Sequence, residues 1–500
     1  MFRAARTVVL LSILVQVAAF LRTAIIAAIF GASLTVDAYN LGVVAPTLLA
    51  TVINGWLQVG FVGRYAGLVA TGEAAAASAY RTQMFLTVLV ISVVATLLCV
   101  LQPDRLMALF LPAEQHKIAA ASADALRVTG WILLPMIVGD FLGFLLNSHG
   151  RFFAAAAAPL LNAAVSVALL LLWSEPGLFA LTVTLLVGIS VQFLVVALPI
   201  ALMRLEFSIN INGAWDEMRA TLWAALPLLS AQVLVNLASA IVQFRSAQLG
   251  EGAVSIFGYA IRLHGAVSQV MVIGLGTVLL PHFGSLWARH QKTQIVVLLR
   301  RLTRMSVLLS ACIGIGIWLF GESVVTLLFK RGVFDSELAG SVSRLWAVLS
   351  ISLLPFAVGT FIAKFCQALR GSFVILVSSA ISFAVNWSVS YVGVQLGSLS
   401  VIVFSLTAAF SAATIFWVCW LYWIVPAKGL GMDIVGGALR SAAIFLPAAA
   451  IDSAVSAHFD QLPLFWSVFF HGMLFMTVAA GAIFAFDFWR WFLGQDLSAK

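Results

Sequence analysis

Apolar runs long enough to cross a bilayer recur from one end of this chain to the other, and nothing else in the sequence limits its fold so tightly. A helix rises 1.5 Å per residue, so about 20 apolar residues span the ~30 Å hydrocarbon layer of a membrane. Such windows fall near 7–30, 38–67, 83–102, 126–147, 153–173, 178–203, 221–244, 253–287, 305–329, 341–367, 371–394, 398–425, 433–456 and 463–488. The pattern predicts an all-α, polytopic integral membrane protein of about 14 transmembrane helices. Composition agrees: 63% of the 500 residues are hydrophobic and 9% charged, which excludes a soluble globular protein. The first run follows a basic start, MFRAAR, but continues past signal-peptide length without a small-residue cleavage site, so it is expected to remain as the first span.

An even number of spans returns the C-terminus to the side where the chain began. With both termini inside, 18 lysines and arginines fall on the inner side, against seven on the outer: Arg105, Lys117, Arg127, Arg245, Lys330, Arg331 and Arg344. That bias puts both ends in the cytosol. The formal net charge of +8 then reads as a basic cytosolic face toward anionic lipid, with no nucleic-acid partner. Within the inner set, QIVVLLRRLTRM at Gln294–Met305 is basic and apolar at helical spacing, and is expected to lie along the cytosolic interface.

The chain also repeats itself. LLPMIVGDF at Leu133–Phe141 returns as LLPFAVGTF at Leu353–Phe361, and the same offset of 220 residues takes Tyr39 to Tyr259. Two copies of six spans inserted in one orientation form two lobes related by an axis along the membrane normal. The expected division is an N-lobe at 1–220 with spans 1–6, a C-lobe at 221–425 with spans 7–12, and a terminal helix pair, spans 13–14, at 426–500. A bundle of this kind generally holds its substrate between the lobes and rocks to open either side.

Charges inside the spans are few and costly. Arg22 stands between the apolar runs Val8–Leu21 and Ala24–Phe30, and Arg262 lies in the second span of the second repeat. An arginine at mid-membrane costs at least ~2.5–3.5 kcal/mol and is kept where it faces a protein interior or a wet cavity. One buried arginine per lobe points to an anion site; structural pairing with a neighbour is the alternative. Asp37, near the outer end of its span, either pairs with an arginine or caps the helix beginning there. Asp140, which replaces the repeat's Thr360, is either a pathway residue or a protonated structural acid. The intramembrane acids and histidines show neither catalytic nor metal-ligand spacing, and Cys99, Cys312, Cys366 and Cys419 are too scattered for a disulfide framework. Without a P-loop there is no nucleotide site, so an enzyme, a metal and a cofactor are all excluded from the expectation.

At these residues the sequence resembles the MurJ (MviN) family of lipid-linked saccharide flippases, in the superfamily that also holds multidrug and toxin extrusion transporters. FLRTAIIAAIFGASLTVDAYNLGVVAPTLL (Phe20–Leu49) is similar to the family's first two helices, and YAIRLHGAVSQVMVIGLGTVLLP (Tyr259–Pro281) to its eighth. LLFKRGVFDSE (Leu327–Glu337) resembles the loop after the ninth, and GRFFAAAAAP (Gly150–Pro159) the start of the fifth. The resemblance implies that Arg22 and Arg262 hold the diphosphate of an undecaprenyl-diphosphate-linked sugar on its way from the cytosolic to the outer leaflet. It implies a bacterial inner-membrane monomer whose partners are that lipid-linked saccharide and membrane lipids. The chain departs from the family at Gln16, Val17, Thr23, Ala50, Thr51 and Ile261, where the family has its serine, arginines and acids. Asn236 and Asn386 stand on the helices that carry the family's sodium site, without an aspartate. Thr23 and Asn386 join Asp37 and Asp140 as supporting or pathway candidates. The cargo is lipid II or an exopolysaccharide repeat unit; an ion-coupled multidrug antiporter of the same superfamily is the alternative.

The topology is directly testable. Reporters fused after Lys500 and within 103–124 should report opposite sides of the membrane, and the same side for both would overturn it.

Overall fold

The computed structural model describes residues 2–203, 205, 214–369, 371–425, 429–459 and 462–485. Of the inner-side basic residues, Arg204, Arg370, Lys428, Arg490 and Lys500 lie outside them. The chain divides into two compact units, Met1–Ser255 and Ile256–Lys500. The first holds α1 (Phe2–Phe30), α2 (Leu34–Trp56), α3 (Val62–Ala70), α4 (Ala74–Leu101), α5 (Pro103–Ala108), α6 (His116–Thr129), α7 (Leu133–Ser148), α8 (Phe152–Leu172), α9 (Leu178–Leu202) and α10 (Ala214–Ala247). The second holds α11 (Ala253–Ala288), whose first turn belongs to the first unit, α12 (Lys292–Phe329), α13 (Ser336–Ser350), α14 (Leu353–Ala368), α15 (Ser372–Gln395), α16 (Leu399–Ile424), α17 (Leu430–Phe459) and α18 (Leu464–Ala485).

Twelve described helices are long and apolar enough to cross a membrane, or thirteen if α13 and α14, bent by 43° at their junction, make one span. Of the fourteen windows read from the sequence, the eighth is α11, 36 residues long, whose middle side chains fall outside those described. The repeat extends to element boundaries: α6, α7 and α8 start at 116, 133 and 152, and α13, α14 and α15 start at 336, 353 and 372, each 220 residues later.

Close helix approach in the first unit depends on small residues, as it must where lipid provides no hydrophobic drive. A Cβ at Gly42 would sit 2.6 Å from that of Ala125, so glycine is what lets α2 and α6 meet. Thr129 Oγ1 donates to the Gly42 carbonyl at 2.8 Å across the same contact. Between α8 and α9, Ser166 Oγ donates to the Thr184 carbonyl at 3.0 Å, in space left by Gly188. One π-helical turn, Leu57–Phe61, carries α2 into α3 and brings Phe61 against Tyr65 and Phe141, with ring centroids 5.0 Å away in each case. Beyond the end of α7, His149 Nε2 lies 3.0 Å from the Tyr65 hydroxyl, which also accepts from Arg81 at 3.1 Å. Burial first, then the Arg81 and Arg151 charges, hold the His149 pKa below the usual imidazole range, so the ring is neutral at pH 7.

In the second unit, the segment Gln294–Met305 is part of a longer helix. It is the start of the continuous 38-residue α12, and its arginines are turned to a specific task. Arg304 Nη2 and Nε reach Asp433 Oδ1 on α17 at 2.8 and 2.9 Å, and Arg300 bonds both oxygens of the same carboxylate. Farther along, Ile444, Phe445 and Ala448 of α17 and Phe475 and Ala479 of α18 form a core against Met305, Leu308 and Leu319 of α12. Within the pair, His471 Nδ1 lies 2.8 Å from Asp452 Oδ1, both side chains buried. The terminal pair is thus fixed to α12 by a buried charge cluster at one end and apolar packing beyond it.

Removing one member of a buried pair costs about 3–5 kcal/mol, because the other charge stays buried. Asp433→Ala should lower the thermal unfolding midpoint of the purified protein sharply. Arg300→Ala should lower it less, since that side chain is 23% exposed and Arg304 keeps its contact. Equal effects would contradict the assignment of Arg304 as the buried partner.

Candidate functional site

Within the first unit, Arg22 projects from α1 toward α2. It is half-buried, and its Nη2 donates to the Tyr39 hydroxyl at 2.7 Å. Among the described residues the phenol is its partner and no carboxylate neutralises it. Tyr39 carries no charge, so it orients the guanidinium without cancelling its charge. Thr23, beside it, returns its hydroxyl to the Ala19 carbonyl of its own helix at 3.0 Å.

Asp37 is fully buried and, among the described residues, pairs with no arginine. It is a cap, though not of the helix that carries it. The Gly252 and Ser255 backbone N–H groups donate to its carboxylate at 2.6 and 2.7 Å, and the Ser255 hydroxyl donates as well. These are orphan donors of the first turn of α11, where a helix dipole presents positive partial charge. The exchange is mutual. Glu251 Oε1 accepts from Leu34 N at 2.9 Å, at the head of α2, while Ser33, the residue in the N-cap position, makes no side-chain cap. Each of the two helices is therefore capped by a carboxylate from the other's segment. Gly252, with φ of +86°, turns the chain here, and a Cβ would stand 3.2 Å from Ala32. Sequence reading found Asp37 but neither Glu251 nor Ser255; an acid between Gly250 and Gly252 at a helix start was the available signal.

Arg262, in the second unit, is exposed on α11, two residues before the buried His264. His264 Nε2 lies 3.2 Å from Ser268 Oγ and 3.1 Å from Ser352 Oγ, which anchors this stretch of α11 to the residue preceding α14. Asn386 is fully buried in the seam between α15 and α16, where its Nδ2 donates to Ser405 Oγ at 3.1 Å. Asp140 lies midway along α7 and accepts from Asn54 Nδ2 of α2 at 2.5 Å. Arg22, Asp37 and Asp140 thus belong to one unit and Arg262 and Asn386 to the other.

Comparison with known proteins agrees with this layout of helices. The family model described as lipid II flippase MurJ matches residues 26–477. The lipid II flippase MurJ of Burkholderia cenocepacia is 27% identical over 372 residues, 71% of this chain and 70% of that protein. The probable lipid II flippase MurJ of Rickettsia prowazekii is 19% identical over 429 residues, 83% and 84% of the two chains. Among solved structures, a lipid II flippase MurJ in an inward closed conformation superposes with a TM-score of 0.78 at 16% identity, covering 96% of this chain and all of that one. An inward-facing multidrug resistance MATE family transporter of the MOP superfamily gives 0.69 at 14% identity over 84% of this chain and 96% of its own. At such identities these superpositions speak for the fold.

The mutual caps generate a graded expectation. A hydrogen bond to a charged group is worth about 1.5–3 kcal/mol, and Asp37→Ala removes the acceptor from three donors at once. Asp37→Asn keeps one acceptor oxygen and should fall between alanine and wild type in thermal stability. An alanine variant as stable as wild type would refute the capping role.

Proposed function

The chain belongs to the lipid II flippase MurJ family, and we propose that it moves an undecaprenyl-diphosphate-linked saccharide from the cytosolic to the outer leaflet of the bacterial inner membrane by alternating access. It is a transporter and not an enzyme. The observation that carries the reading is Arg22: a half-buried guanidinium inside the first span, oriented by a neutral phenol and faced by no carboxylate among the described residues. A positive charge held this way attracts an anion and repels the hydrophobic cations of a drug antiporter. Arg262, exposed within α11, supplies the second charge of the proposed diphosphate site. Guanidinium suits that task because its planar fork meets phosphate oxygens two at a time and stays charged when desolvated. Thr23, Ala50, Thr51 and Ile261, where the resemblance leads one to expect charges, leave the anchors and remove other contacts. Lipid II and an exopolysaccharide repeat unit therefore both remain within the proposed cargo class, and the protein works as a monomer with both termini in the cytosol.

A leaflet-accessibility assay with purified protein, offering lipid II and other lipid-linked glycans, tests the substrate class. Alanine at Arg22 or Arg262 removes one charge-assisted contact, about 1.5–3 kcal/mol, and should weaken binding roughly ten- to a hundredfold. Arg22→Lys should rescue only in part. Membrane abundance is measured alongside: normal abundance with normal flipping in the alanine variants would refute the site, whereas loss of folded protein would mark the arginines as structural. The energetics follow from charge. An anionic diphosphate leaving a negative interior gains about 2.3 kcal/mol per charge for each 100 mV fully crossed. Flux should fall when the potential is collapsed, and unchanged flux would count against this driving force.

A further inference from the structure

We propose that Asp140 is a proton-binding site, built into the first unit apart from the arginines and independent of the cargo. It borders a cavity of about 180 Å³ whose other polar lining is Asn147 and Gln192, among Gly143, Ala155 and Pro159. That volume admits a few water molecules, and the two amides give them partners. The carboxylate has one partner among the described residues, the Asn54 amide at 2.5 Å. No cation faces it. The helices packed on α7 carry Asp37 and Tyr39 (α2), Arg64 and Tyr65 (α3), and Tyr80, Arg81 and Cys99 (α4), while α8 and α9 carry no titratable group. None of these lines the cavity, and His149 and Arg151 lie beyond the end of α7, nine and eleven residues past Asp140.

An ionised carboxylate at this depth with a single amide donor carries a large desolvation cost, and a bound proton removes the charge. A metal ion fits less well. The cavity offers two side-chain amides besides the carboxylate, and Gln192 Oε1 already accepts from Asn162 at 2.9 Å, too few oxygens to replace a hydration shell. The fold does not require the acid either. At the repeat offset of 220 residues, Asp140 corresponds to Thr360, whose hydroxyl simply returns to the Phe356 carbonyl at 2.7 Å, and Gln192 corresponds to Ala412. The first copy alone combines an acid, two amides and space for water. A proton bound more tightly in one conformation than in another biases the equilibrium between them, so the site gives a transporter of this build a handle on the proton gradient.

The test is infrared difference spectroscopy of the full-length protein in lipid bilayers as the pH is stepped, which needs no glycan substrate and so fails or succeeds separately from the flippase reading. Wild type should show a protonated-carboxyl C=O band that grows on acidification, and Asp140→Asn should lose it. Asn54→Ala should keep the band but shift its frequency, because the carboxyl has lost its hydrogen-bond partner. A band that survives Asp140→Asn, or one unmoved by Asn54→Ala, would overturn the assignment. So would suppression of the band by sodium chloride but not by choline chloride at fixed pH, which would make the occupant a metal ion. Thermal unfolding of both variants shows that each is folded when the spectra are taken.

Discussion

Two helix ends in the first unit satisfy each other, and much of the candidate site depends on that exchange. The opening turn of a helix leaves backbone N–H groups without partners, and a bilayer supplies no water to bond them. Here Asp37 accepts from the start of α11 and Glu251 accepts from the start of α2. Each carboxylate lies at the positive end of the helix it caps, so charge and hydrogen bonding favour the same geometry. The cap fixes the first turn of α2, and Tyr39, half a turn beyond Asp37, is the residue that orients Arg22. The arginine's direction is thus set by neutral and backbone groups, which leaves its charge unspent.

Buried charges among the described residues differ in their partners. Arg304 and Arg300 converge on Asp433, charges matched within the protein, and Asp452 and His471 share a hydrogen bond; both contacts hold the terminal helices in place. Arg22 has a phenol and Asp140 an amide, so neither is matched by an opposite charge among the described residues. A matched buried pair is a structural device whose loss costs stability, whereas an unmatched one needs a mobile counter-charge to be tolerated. That distinction sets Arg22 on α1 and Asp140 on α7 apart from the arginines of α12 that meet Asp433 on α17.

Most of the architecture was legible in the sequence because a bilayer allows few solutions. Span length follows from its thickness, and the repeat at an offset of 220 residues carries through to the starts of α6, α7 and α8 and their counterparts. What could not be read was the identity of long-range partners. Asp37 looked able to pair with an arginine or cap its own helix, and its true donors lie 215 and 218 residues later. The segment Gln294–Met305 looked like a surface helix because its arginines follow helical spacing, and that spacing is equally what a helix needs to present Arg300 and Arg304, one turn apart, to a single carboxylate on α17. Local pattern defines a face; only the fold decides whether lipid headgroups or Asp433 meet it.

The repeat also separates what the fold requires from what was added to it. Ser166 in the first copy and Asn386 in the second occupy the same offset position, and each is a polar group bonding across the seam between adjacent helices. The position is polar in both copies because the seam needs a hydrogen bond there, whichever unit it lies in. Asp140 and Thr360 share an offset too, yet only the acid reaches out of its own helix, to Asn54 on α2, while the threonine bonds within its helix. Arg22 has Val242 as its counterpart, and Arg262 has Gly42. Where two copies of one framework keep a polar group, packing accounts for it. Among the described residues, Arg22 and Asp140 are intramembrane charges that no opposite charge within the protein matches.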